Sequence, residues 1–175
     1  MKLVGVIGEP ATGKTTIMRQ VLDSLGARYT RFKFGLLRGR KYPNDLFVLG
    51  VYDGTTFAGT DRLSMAVQPF AQRFLSRIPQ QAIVLFEGDR LTRPAFLGAV
   101  APQDLVLFLV ETTPEEKARR HGARADTQPE QFTRSRATLL NNLAATFKVT
   151  RLANETPADI DLCATAIRAA LAAVK

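Results

Sequence analysis

The chain has 175 residues, 46% hydrophobic and 23% charged, which predicts one globular domain, and its apolar runs are too short to span a bilayer. Its formal charge of +8 is carried by 17 arginines and 7 lysines, and arginine's planar fork grips phosphate oxygens in pairs, so the balance points to anionic partners. A single cysteine, Cys163 among aliphatic neighbours, excludes an internal disulfide or a thiolate metal cluster and predicts a quiet core thiol in a reducing cytoplasm.

The run "KLVGVI", residues 2–7, predicts a buried strand at the very N-terminus, where no signal peptide then fits. "GEPATGKTT" follows at 8–16, and Gly8, Gly13, Lys14 and Thr15 satisfy the P-loop pattern. The segment Gly8, Glu9, Pro10, Ala11, Thr12, Gly13, Lys14, Thr15 and Thr16 is expected to wrap the phosphates of ATP. Glycines let backbone N–H groups converge there, and the following helix adds its positive end. Lys14 is expected to bridge the β- and γ-phosphates, and the Thr15 hydroxyl to bind Mg²⁺. Ile17, Val21, Leu22 and Leu25 recur at helical spacing until Gly26 stops the helix.

"ARYTRFKFGLL" and "DLFVLGVYD" read as extended, with "RGRKYPN" as the turn between them. Six bases, Arg28, Arg31, Lys33, Arg38, Arg40 and Lys41, alternate here with Tyr29, Phe32, Phe34 and Tyr42. Such a strip could track a nucleic-acid backbone and stack bases, or it could be a sheet strand with core phenylalanines and solvated charges. In "FAGTDRLS", residues 57–64, Asp61 could accept the proton of an incoming hydroxyl while Arg62 holds an acceptor phosphate; a helix cap at Thr60 or Asp61 is the alternative. Val67, Phe70, Phe74 and Ile78 then share a helical face that Pro79 closes.

"AIVLFE" at 82–87 predicts a second buried strand, ending on Glu87, where a P-loop protein keeps the acid that faces its metal. Asp89 and Arg90 follow as a further acceptor-binding pair. "DLVLFLVE" at 104–111 is a third strand, and "TPEEKARR" opens a helix with acids in its first turn and arginines in its last. Phe132, Leu139, Leu140 and Leu143 predict a helix over 128–145, and "FKVTRLA" at 147–153 a final strand. Thr156, Pro157 and Asp159 start the last helix, with Ile160, Ile167, Leu171 and Val174 as its buried stripe. Strands alternating with helices predict a three-layer α/β/α fold around a mostly parallel five-stranded sheet.

An N-terminal P-loop, a strand ending in "FEGDR", "VETTPEEKARRHGAR" after the next strand and the closing "FKVTRLANETPADI" together resemble the small P-loop kinases of the nucleoside- and nucleotide-kinase-like superfamily. The resemblance implies an acceptor-binding insertion over about 28–78 and a lid over about 114–136. Its arginines would be drawn from Arg119, Arg120, Arg124, Arg134 and Arg136, with Arg120 and Arg124 favoured for phosphate contact. Asp89 and Arg90 look like the Asp-Arg pair of thymidylate-kinase-like enzymes. "FAGTDRLSMAVQP" and "LFEGDRL" also look like segments of bacteriophage P-loop kinases that phosphorylate hydroxymethylated pyrimidines, in DNA or as nucleotides. That narrower resemblance implies an acceptor such as 5-hydroxymethyluracil in DNA, with Tyr52, Phe57 and Phe70 as base-pocket candidates.

The guanine clamp N-K-x-D and the L-S-G-G-Q motif of ABC-type ATPases are both missing. Two functions stand: an ATP-dependent kinase acting on a nucleotide or nucleic-acid hydroxyl, and a nucleic-acid-binding ATPase whose acceptor is water.

Overall fold

The computed structural model describes residues 1–53, 58–123 and 130–172. Three expected contributors, Phe57, Arg124 and Val174, lie outside the described residues, as does the side chain of Phe132. The first strand, β1 (Lys2–Ile7), leads through the glycine loop into α1 (Lys14–Leu25), which ends at Gly26 with φ 76°. Leu3, Val4, Val6 and Ile7 are fully buried, as a parallel strand covered on both faces requires.

Three strands follow: β2 (Thr30–Phe34), β3 (Leu37–Tyr42) and β4 (Leu46–Leu49). Then come α2 (Gln68–Leu75), β5 (Ile83–Glu87), the short α3 (Pro94–Leu97), β6 (Leu105–Glu111) and α4 (Pro114–Ala123). The chain continues through α5 (Glu130–Thr146), β7 (Val149–Ala153) and α6 (Pro157–Ala172). The sheet order is β2-β3-β4-β5-β1-β6-β7. The strands from β4 to β7 are all parallel, while β2 and β3 form an antiparallel hairpin beside β4.

The expected five-stranded sheet is therefore seven-stranded: the five parallel strands are present and the hairpin adds two. The cause is "RGRKY", which is not a turn but most of β3. Arg38 and Arg40 share one face of that strand, open to solvent at Arg38, so they fit a strand as well as a turn. Gly39 faces the other way, where the Phe32 ring occupies the space: a Cβ there would come within 2.8 Å of it.

One face of the sheet is packed by α1 and α6, through Ile17, Val21, Leu22, Cys163 and Ile167 against Val4, Val6 and Leu85. The other is packed by α2, α3 and α5, through Phe74, Leu75, Phe96, Leu140 and Leu143 against Leu3, Ile7 and Phe86. Cys163 is a core thiol, as expected, donating weakly to the Ala153 carbonyl at 3.4 Å. The start of α6 is also as expected. Asp159 accepts from the Thr156 and Glu155 amides at 2.7 and 3.0 Å, and those bonds hold its carboxyl below the usual range.

The helix expected from Leu63 begins only at Gln68, and Thr60–Arg62 is a separate 3-10 turn. Neither Thr60 nor Asp61 caps α2. The Thr60 hydroxyl donates to the Glu87 carbonyl at 2.8 Å, and Asp61 Oδ1 accepts from the Asp89 amide at 2.8 Å. This turn is thus fastened to the end of β5. None of the helices among the described residues is long and apolar enough to cross a membrane.

Because the five central strands run one way, Gly8 after β1, Glu87 ending β5, Glu111 ending β6 and Asn154 after β7 all emerge at one end of the sheet. In open α/β sheets, ligands bind in the crevice at that end.

Candidate active site

The loop after β1 adopts a backbone that its sequence allows and few others would. Gly13 sits at φ 88°, and a Cβ there would fall 2.2 Å from Asn154 Nδ2; at Gly8 it would meet the Val110 carbonyl at 2.4 Å. Thr12 donates to the Glu9 carbonyl at 2.9 Å, and Asn154 Nδ2 donates to the Thr12 carbonyl at 2.7 Å. Asn154 is 1% exposed, so this is a buried strut beneath the loop. The sequence reading missed it; the available signal was its position directly after a parallel strand. Lys14 is buried and its Nζ donates to the Gly8 and Glu9 carbonyls at 2.8 and 2.6 Å, so its ammonium already lies along the loop.

Glu87 is 1% exposed. Its Oε1 accepts from the Thr15 hydroxyl at 2.9 Å, while the buried Oε2 has no hydrogen-bond partner. Burial is the largest influence on this carboxyl and pushes it up to about 7. Lys14 and the Thr15 hydroxyl pull against that, and Asp61 and Asp89 add to it. An unsatisfied buried carboxylate oxygen next to a hydroxyl is a hard-oxygen donor set that fits Mg²⁺, which needs only one or two protein oxygens besides phosphates and water. Among the described residues no cluster of three His, Cys, Asp or Glu side chains forms a metal cage.

A carboxyl raised by folding has a consequence for the nucleotide-free protein. Its pKa near 7, against about 4.5 when unfolded, means the folded state keeps a proton that the unfolded chain has released. The contribution of Glu87 to stability is therefore greatest below about pH 4.5 and declines as pH rises through 7, by about 3 kcal/mol at most. Relative to Glu87→Gln, the unliganded wild type is expected to lose about 6 to 12 °C of melting temperature between pH 5 and 8. Parallel melting profiles for the two proteins would contradict the assignment.

Beside Glu87, Asp61 and Asp89 complete an acidic group. Asp61 Oδ1 is held by the Asp89 amide, and its Oδ2 has no partner among the described residues. Asp89 Oδ2 pairs with Arg136 at 2.7 Å, which ties β5's end to α5. Burial first, then Asp61, raise the Asp89 carboxyl, while Lys14, Arg136 and Arg90 oppose the shift. Next to this group lies a cavity of about 740 Å³, lined by Asp89, Arg90, Arg93, Arg136, Gln68 and Met65 among others. Asp89 and Arg90, singled out in the sequence as a pair, both line this cavity. Asp61 does not line that cavity; it adjoins it through its bond to the Asp89 amide. Arg62 points elsewhere: its guanidinium donates to the Asp53 carbonyl. Arg93 was missed, because nothing local marks it until α3 folds beneath the cavity.

A second cavity, about 330 Å³, opens on the other side of the loop, lined by Gly13, Thr16, Arg119, Arg120, Asn154 and Pro157 among others. Two cations on α4 dock that helix onto the loop. Lys117 pairs with Glu9 at 2.5 Å, and Arg120 donates to the Ala11 and Asn154 carbonyls at 3.3 and 3.0 Å while Glu116 holds its Nε at 2.6 Å. Arg119 pairs with Glu116 as well, from a mostly exposed position. Arg120 therefore sits beside the loop at the second cavity, and Lys117 is a contact that sequence alone did not single out.

Of the base-pocket candidates, the two among the described residues, Tyr52 and Phe70, do not share a pocket. Tyr52 belongs to the α1 side of the sheet and Phe70 to the α2 side, so the sheet itself separates them. The aromatics of the basic strip are likewise committed to packing. Phe32 stacks on Phe74 at 4.9 Å, Phe34 lies 5.9 Å from the same ring, and Tyr29 lies 5.3 Å from Tyr42.

No protein-family model and no curated protein matches the chain. Solved structures do resemble it. A gluconokinase from Sinorhizobium meliloti 1021 superposes with a TM-score of 0.55 at 14% identity, covering 98% of this chain and 93% of that one. A shikimate kinase from Acinetobacter baumannii, in complex with shikimate, gives a TM-score of 0.50 at 16% identity with the same coverage. Identities this low show a shared fold alone: the chain has the architecture of these two kinases.

Proposed function

We propose that this protein is an ATP-dependent phosphotransferase whose acceptor occupies the arginine-lined cavity beside Asp89. The observation that carries the proposal is the convergence, at one end of the sheet, of the P-loop, the half-satisfied Glu87 and that cavity. A switch or a plain hydrolase needs the first two. The third has a purpose in transfer, because about 740 Å³ is room for a nucleotide-sized ligand.

In this reading the backbone from Gly8 to Thr16 and the Lys14 ammonium hold the triphosphate, and the 330 Å³ cavity takes the nucleotide base beside Arg119, Arg120 and Pro157. Thr15 and Glu87 would hold Mg²⁺, whose chemistry there is to neutralise charge on the phosphate oxygens. The acceptor oxygen forms its bond to the γ-phosphorus as the bond to the β–γ bridging oxygen breaks, and Asp61 Oδ2 receives the acceptor's proton. Asp61 is the base in this reading, with one oxygen oriented by the Asp89 amide; Asp89, whose Oδ2 pairs with Arg136 while its buried Oδ1 has no partner, is the alternative on the cavity wall. Arg90 and Arg93 take the place first considered for Arg62 and hold an anionic group on the acceptor.

An anionic, nucleotide-sized acceptor agrees with the finer reading of a nucleotide or a hydroxymethylated base such as 5-hydroxymethyluracil in DNA, which rests on the sequence resemblance. The test is the fate of γ-labelled ATP offered with mononucleotides, plain DNA and hydroxymethylated DNA. Label is expected in one of these acceptors. Label appearing only as free phosphate, stimulated by DNA, would replace transfer with hydrolysis.

A further inference from the structure

The β2–β3 hairpin carries its charges in an arrangement that packing does not require. Arg31 stands directly opposite Arg40, and Lys33 directly opposite Arg38. Opposed residues of an antiparallel pair share a face, so four cations form two successive like-charged rungs, an arrangement that destabilises a sheet. The first rung is partly neutralised: Asp53 lies 3.3 Å from Arg31 and 3.4 Å from Arg40, which also covers the Tyr29 ring at 4.5 Å. The second rung has no such relief. Lys33 and Arg38 are exposed, and no acid lies within ion-pair distance of either among the described residues. The opposite face of the hairpin is closed by Phe32 and Phe34 against Phe74.

Position adds direction. Since β2 is antiparallel to β3 and β3 to β4, β2 runs with the central strands, and its Lys33 end lies at the sheet end that holds the P-loop. Asp53, the hairpin's counter-ion, also accepts from Arg62, the neighbour of Asp61.

We propose that this face binds the phosphodiester backbone of a nucleic-acid strand, a binding that does not rest on the phosphotransferase reading. Alternate residues of a strand stand about 6.8 Å apart, so each edge of the ladder offers evenly spaced cations to a regularly charged chain. An acidic protein would want apolar or aromatic anchors at the centre of its interface, and this face has none to give, with Tyr29 under Arg40 and Tyr42 buried. For the same reason the contact reads backbone rather than base, and carries no sequence preference.

Fluorescence anisotropy with a labelled single-stranded oligodeoxynucleotide across a salt series tests this. The wild type should bind with an affinity that falls linearly in log–log form with salt. Lys33→Gln/Arg38→Gln should lower the slope by about 1.4 and the affinity by about 20-fold at 0.1 M salt, with ATP affinity unchanged and the melting temperature no lower than that of the wild type. Lys14→Ala should still bind the oligonucleotide. Equal affinity of the double variant and the wild type, no wild-type binding, or competition by polyglutamate as effective as by unlabelled oligonucleotide would each overturn the proposal. Binding as expected without label transfer to any acceptor would uphold this face and remove the phosphotransferase reading instead.

Discussion

Asp61→Asn is expected to lower phosphoryl transfer by about 10²- to 10⁴-fold while leaving ATP affinity nearly intact. The substitution keeps the shape of the side chain and an oxygen able to accept from the Asp89 amide, so the turn at Thr60–Arg62 stays fastened to β5. What it removes is a group that can take a proton. Steady-state transfer and nucleotide titration on the same preparation separate the two quantities. A variant with full transfer would move the proton acceptor to Asp89 or Glu87, the other carboxylates of the group.

Glu87→Gln carries the second large effect. The amide oxygen can still accept from the Thr15 hydroxyl, so the geometry at the end of β5 is preserved. The charge is not, and a neutral oxygen is a poor match for a small hard cation. The Mg²⁺ concentration giving half-maximal transfer is expected to rise about 10- to 100-fold, with partial rescue at high Mg²⁺. An unchanged Mg²⁺ dependence would mean that Glu87 is only the buried prop for Thr15.

The parts of this site that were legible in the sequence are those whose chemistry is local. Gly8, Gly13, Lys14 and Thr15 lie within a single turn of chain, and the requirement for convergent amides fixes both their types and their spacing. Glu87 was legible because an acid closing the apolar run "AIVLF" has nowhere to go but the sheet's end. Asn154, Lys117 and Arg93 were not, since each acquires its role from a neighbour more than twenty residues away: the loop for the first two, the cavity wall for the third. The hairpin was misread for a different reason. The alternation of Arg31 and Lys33 with Phe32 and Phe34 was legible, but a strand with exposed bases and a glycine at its centre has the composition of a turn, and β3 was taken for one. That error also concealed the like-charged rungs, which exist only once β2 and β3 are paired.

Everything proposed for Asp61, Glu87 and the arginine cavity presupposes a triphosphate in the loop. Titration of Mg·ATP into wild type and Lys14→Ala is the direct measurement. Losing the ammonium that lies along the Gly8 and Glu9 carbonyls is expected to weaken nucleotide binding about 10- to 100-fold and to suppress turnover with it. Equal affinity and equal turnover in the two proteins would show that the loop is a structural turn and not a phosphate site.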